Sequence, residues 1–195
     1  MKKIVLLTMA LVCMGSQQYL SAQNQKKDLK KINAVSFYGV DFTYAKVYGA
    51  LETAQQFLDA FVGINNLLEA EPAKYSARRT FGIPNEELFN RQVIHNVDNI
   101  SRADLFIDDN RYVVTDADID QVVAKIEKQG DSQYGAVIIA GLISKTANHA
   151  TFTFVVFDQD TKEIIFQQEK AGKARGFGLR NFWAGALLSA MKNVK

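Results

Sequence analysis

Residues 136–143 read Ala-Val-Ile-Ile-Ala-Gly-Leu-Ile, an apolar run that never alternates with polar residues. A strand with one wet face alternates with period two, so this run predicts a strand covered on both faces. After a polar break, Thr151 to Phe157 is rich in β-branched and aromatic residues, with Phe152, Phe154 and Val156 on one face. Asp158-Gln159-Asp160-Thr161 supplies turn residues before Glu163 to Glu169, so the second and third runs are expected to form a hairpin. Three consecutive strands between Tyr134 and Glu169 therefore form the centre that the rest of the chain must cover.

The beginning of the chain has a different character. Lys2 and Lys3 precede an apolar run from Ile4 to Met14 and a more polar stretch that ends in small residues at Ala22. This is the pattern of a secretory signal peptide over residues 1–22, which places the mature chain in the periplasm or outside the cell. The apolar run is too short to span a bilayer, and no later run predicts a transmembrane segment. The single cysteine, Cys13, follows Leu11-Val12 inside the apolar region rather than at a lipoprotein acceptor position. Cleavage after Ala22 would remove it, leaving neither disulfide nor thiol. It would also leave 21 basic residues against 21 acidic ones, with no basic excess for nucleic acid.

Residues 23–31 are polar and lysine-rich, a flexible lead-in to one domain over residues 32–195. Ile32 to Phe42 predicts a strand. From Tyr44 to Glu71 the period lengthens: Leu51, Ala54, Leu58, Phe61, Asn65 and Leu68 recur at helical steps, widened by Phe57, Ile64 and Leu67, and Pro72 ends the helix. Ala73 to Pro84 reads as a loop carrying Arg78 and Arg79. Asn85, followed by Glu86 and Glu87, reads as the N-cap of a second helix running to about Arg102. Leu105 to Ile107 and Tyr112 to Val114 flank the turn residues Asp108-Asp109-Asn110, and at least the second piece reads as a strand. Thr115 and Asp118 then cap a helix bearing Ile119, Val122, Val123 and Ile126. Leu179 to Val194 is the last helix. The order predicts an α+β fold: a mixed, largely antiparallel sheet with helices packed mainly on one face.

Val40-Asp41-Phe42 at the end of the first strand, Gly135-Ala136 opening the apolar strand with Gly141 following, and Asp158, Asp160 and Thr161 at the hairpin turn form a set. In these features the chain resembles a family of envelope domains. It includes the amino-terminal domain of TolB, the periplasmic domain of the curli-secretion channel and the lipoprotein activators of peptidoglycan synthases. Lys162 stands where that family usually has glycine. The resemblance covers Ile32 to Phe42 and about Tyr112 to Lys195. It implies a fold and a cell-envelope setting, and it carries over no catalytic residue.

Asp116, Asp118, Asp120 and Glu127 have the spacing of an EF-hand loop, but Gln121 replaces the required glycine and the neighbouring apolar residues have helical spacing. The acids read as favourable charge at a helix start. His95 and His149 have no cysteine or spaced histidine to complete a metal site. No serine sits in a Gly-x-Ser-x-Gly elbow, and the mature chain has no cysteine nucleophile. No catalytic residue, metal or cofactor is expected. The candidate site is the connection before the last helix, where Gly176 and Gly178 stand among Lys173, Arg175 and Arg180. A helix N-terminus with basic neighbours can hold an anion or a partner group, whereas the same glycines can simply serve a linker.

These observations predict a non-enzymatic, exported envelope protein that acts through protein–protein interaction with an envelope partner. A periplasmic small-ligand carrier or sensor with an apolar pocket is the alternative, followed by a carboxylate-based hydrolase. The two-sided strand gives the first testable expectation. Ile138→Asp and Ile139→Asp should each abolish cooperative thermal unfolding, because each buries an unpaired charge on a different face. A soluble, cooperatively melting variant of either kind would show that its face is open to water.

Overall fold

The computed structural model describes residues 29–194. The predicted signal peptide and residues 23–28 of the lead-in lie outside the described residues. Strands β1 (Ala34–Asp41), β2 (Lys46–Tyr48), β3 (Asn85–Leu88), β4 (Phe106–Ile107), β5 (Tyr134–Ser144), β6 (His149–Asp158) and β7 (Ile164–Lys173) form one sheet. Helices α1 (Ala54–Ala70), α2 (Ala77–Phe81), α3 (Arg91–Asn96), α4 (Asp116–Lys125) and α5 (Leu179–Met191) surround it.

β5 is the axis. On one edge it pairs antiparallel with β6, which pairs antiparallel with β7. Its other edge is shared: β1 runs parallel to residues 135–139 and β2 parallel to residues 142–144. β1 and β2 are thus one strand line interrupted by a turn. The next line is divided in the same way, with β3 parallel to β1 and β4 parallel to β2.

Four of the six strand pairings are parallel, and helices cover both faces. The expected α+β class, with a largely antiparallel sheet and helices mainly on one face, is corrected to an α/β arrangement. Parallel neighbours need long crossovers, and crossovers carry helices onto the sheet faces. On one face α1 and α5 bury Phe57, Phe61, Leu68, Trp183 and Leu187 against Ile138, Phe152 and Phe154. On the other, α4 buries Ile119, Val122 and Val123 against Tyr38, Val137, Ile139 and Val155. Ile138 and Ile139 both have no solvent exposure and belong to opposite cores, as the non-alternating run requires.

Several local expectations are also corrected. Asn85-Glu86-Glu87-Leu88 is not a helix start but strand β3. Its acidic residue acts on a different helix: the Glu86 carboxylate accepts from Ser76 Oγ at 2.8 Å and from the Arg78 N–H at 2.5 Å, at the N-terminus of α2. Acid near a helix N-terminus was the right physics applied to the wrong helix. Arg78 and Arg79 accordingly lie on α2 rather than in a loop. The strand expected at Tyr112–Val114 is absent, and the preceding Phe106–Ile107 pairs instead. The long helix begins only at Ala54, after a Thr53–Gln56 capping box, so Leu51 is fully exposed and Lys46–Tyr48 is free to form β2. The Thr115–Asp118 capping box forms as expected.

The junction between β1 and the helices is held by an amide. Asn65, fully buried on α1, accepts from the Val40 N–H and donates to the Val40 carbonyl, both at 2.9 Å. Its own backbone carbonyl accepts from Asn90 Nδ2 at 2.9 Å. The register between β1 and β5 shifts here, and Gly39 adopts φ +82°. A Cβ at Gly39 would lie 2.6 Å from Asn65 Oδ1, so the bulge needs glycine for both its dihedral and its space. Beyond it, the buried Asp41 accepts from the Thr43 N–H and from Asn96 Nδ2, closing β1 and turning the chain toward β2.

A second buried network ties the other end of the sheet. The Tyr38 hydroxyl donates to Gln159, which donates in turn to the Ser132 carbonyl at 2.6 Å and to Ser36 Oγ at 3.2 Å. Asp158 in the β6–β7 turn accepts from the Asp160 and Thr161 N–H groups, each at 2.9 Å, and from Gln133. The Thr161 N–H, first among these donors, helps hold its carboxyl down at about 2. Lys162, where the resembled family has glycine, has φ +64°; its ammonium donates to the Ile126 carbonyl at 2.7 Å.

Asn65→Leu keeps the volume but leaves the Val40 N–H and carbonyl buried without partners. It is expected to cost about 2–4 kcal/mol in denaturant unfolding. A loss under about 1 kcal/mol would show that the amide is dispensable to the bulge.

Candidate functional site

The predicted site begins where β7 hands over to α5. The handover is tight. A Cβ on Gly172 would lie 1.8 Å from the Ala186 carbonyl oxygen, and one on Gly185 would lie 2.1 Å from that of Arg175. Only hydrogen side chains allow the helix to lie this close to the strand and its connection. The Arg175 N–H donates to the Phe182 carbonyl at 3.2 Å, folding the connection back over the first turn of α5. Gly176 and Gly178 have φ of +127° and +74°, so both glycines are required by the backbone itself. Between them Phe177 is held almost wholly in water, 96% exposed.

The five predicted residues are not equivalent. Arg175, Gly176 and Arg180 line a groove of about 390 Å³, together with Phe177, Tyr75, Lys74 and Glu71. Arg180 lays its aliphatic stem across Gly63 of α1, where a Cβ would be 2.7 Å from its Cδ, and its Nε donates to Asn181 Oδ1 at 3.0 Å. Gly178 precedes the helix with open space around it and no side-chain cap. Lys173 ends β7, exposed, and is not among the groove residues.

The opposite wall comes from the segment after α1, which the sequence marked only as a loop. Lys74 pairs with Glu71 at 2.9 Å and sits 5.1 Å from the Tyr75 ring centre. The hydrogen bond to Glu71 raises the Lys74 ammonium above its ordinary value, and burial raises the Tyr75 phenol. On the far side of Lys74 lies a second groove, about 260 Å³, with Arg79, Lys192 and Met191 in its lining. Both grooves share Lys74 and α5. The basic face therefore runs from the start of the helix to its end. Sequence reasoning missed Lys74, Arg79, Lys192 and Phe177. Only Phe177 carried a readable signal, a large apolar residue between two glycines.

The remaining candidates have local roles. Asp118 turns back to Thr115 as a cap, and Asp116 accepts from Gln167 at 2.8 Å. His95 lies exposed on α3 and His149 opens β6. The space between α1, α5 and the sheet is occupied by Phe42 stacked on Phe61 at 4.1 Å and by Phe57 and Trp183, all at most 1% exposed. This arrangement offers cations, an aromatic ring and concave surface on one face.

No protein-family model and no curated protein matches the chain. Among solved structures, it is similar to the LpoB C-terminal domain from Salmonella enterica, with 13% identity over 78% of this chain and 98% of that one, at a TM-score of 0.32. It is also similar to the LpoB C-terminal domain from Escherichia coli, with 14% identity over 77% of this chain and 96% of that one, at a TM-score of 0.30.

Two substitutions separate the scaffold of this site from its surface. Gly185→Ala should lower stability by about 1–3 kcal/mol, because the added methyl meets the Arg175 carbonyl. Phe177→Ala should leave the melting temperature unchanged, since the ring buries almost nothing. Calorimetry on both variants checks this, and a marked loss with Phe177→Ala would place the ring in the fold instead.

Proposed function

We propose that this chain is an exported, non-enzymatic protein of the bacterial cell envelope that works by binding another envelope protein. The export reading is supported by the signal-like character of residues 1–22, and the envelope setting by the resemblance of Ile32–Phe42 and Tyr112–Lys195 to envelope domains. The observation that carries the binding reading is Phe177. Its ring is exposed, and two positive-φ glycines place it in a groove lined by Arg175 and Arg180, so a partner that covers it buries apolar area beside cations. Aromatic residues, phenylalanine among them, and arginine are enriched at protein interfaces.

Chemical crosslinking in intact cells of the source bacterium, followed by purification of the full chain, tests this. The expected result is a discrete heavier species containing this chain and one envelope protein. Recovery of the uncrosslinked monomer alone would overturn the reading.

A further inference from the structure

The two grooves beside α5 carry a charge imbalance that the whole chain does not. Lys74, Arg79, Arg175, Arg180 and Lys192 line them, against the single carboxylate of Glu71, which is already paired with Lys74. A chain cleaved after Ala22 would be neutral overall, with 21 basic and 21 acidic residues, so the excess is local. Arg175, Arg180, Arg79 and Lys192 are exposed in the isolated chain and have no carboxylate among their described ion pairs. Phe177 stands at one end of this basic face and the apolar Leu188 and Met191 line the groove at the other.

We propose, resting on the protein-binding reading above, that this face receives an acidic, extended segment of the partner protein. The segment lies along α5, its carboxylates in the two basic grooves, with an apolar side chain against Phe177. Charge complementarity selects the sign of the partner and speeds the encounter. The cations are exposed, so their attraction for the segment is screened by salt and weakens as ionic strength rises. Shape selects a protein segment over a lipid surface. The cations line two concavities on either side of Lys74, where a chain of side chains can enter and a flat bilayer would touch only the rim. The positive-φ glycines on either side turn Phe177 outward, where an apolar side chain of the segment can meet it.

The test uses the full chain carrying the photocrosslinker p-benzoylphenylalanine at position 177. A second chain carries it at 113, an exposed valine next to Val114 of the other core. After irradiation in intact cells, the crosslinked partner peptide is sequenced, synthesised and titrated against the purified protein at low and high salt. The expected result is capture from 177 and not from 113, and a contact peptide of net negative charge. Arg175→Glu with Arg180→Glu should weaken that peptide by about tenfold or more at low salt, with a smaller difference at high salt. Arg175→Glu with Arg79→Glu spares the Arg180 stem on α1 and should act in the same direction if the first pair compromises folding. A neutral or basic contact peptide, or undiminished binding by a folded double variant, overturns the proposal. So does Phe177-dependent flotation on phosphatidylglycerol vesicles, which would assign the face to a membrane. Capture from 113 alone sinks this face but leaves the protein-binding reading standing. Absence of any protein adduct at both positions sinks both.

Discussion

Asn65 is the residue on which the parallel half of the molecule depends. At the bulge after Phe37, β1 leaves its regular register with β5, and the Val40 N–H and carbonyl turn toward α1. A buried backbone pair left bare would cost several kcal/mol. A carboxamide offers a donor and an acceptor side by side, so it completes the strand as another strand would. The same residue packs close to the bulge, since a Cβ on Gly39 would lie 2.6 Å from its Oδ1. Its backbone carbonyl, which accepts from Asn90 Nδ2, also ties down the point where the chain enters α3. Three elements thus meet at one residue.

How much of this was legible follows from where the information is stored. The run Ala136–Ile143 announced burial on both faces because only a doubly covered strand lacks alternation. The period of α1 was legible too, and Asn65 fell on its apolar stripe; a polar residue there was a sign of a buried partner that periodicity cannot identify. β2 and β3 were not legible, and β4 showed only as the less favoured of two pieces flanking a turn. They are two to four residues long, and Asn-Glu-Glu-Leu has the local chemistry of a helix start. Those strands exist because a neighbour's backbone is there to pair with, a tertiary cause that leaves no periodic trace. Without them the parallel pairings vanish from view, and the antiparallel β5–β6–β7 run dominates any class assignment.

The same division applies to the site. The glycine and basic residues before α5 were visible because they are adjacent in sequence. Their counterparts Lys74, Arg79 and Lys192 come from segments about a hundred residues away and at the far end of the helix. Nothing in the local spacing of Lys74 or Arg79 distinguishes them from solvated charge. What joins them is the close seat of α5 on β7, permitted by the absence of side chains at Gly172 and Gly185. Gly185 and Arg175, in close contact with each other, themselves line the groove that Lys74 closes from the other side.

The interrupted strand line at β5 has a consequence for how the chain reaches this structure. β5, β6 and β7 are joined by turns of four or five residues, whereas Ser36 must find Gly135 across about a hundred residues. Local closures are fast and distant ones slow, so the three-stranded meander assembles while its inner edge still waits for β1. During that interval the backbone of Ala136–Ile139 presents an unpaired, wholly apolar edge, the kind that recruits strands from other molecules. The first strand of the sheet in chain order is thus the one that covers the inner edge of its last three.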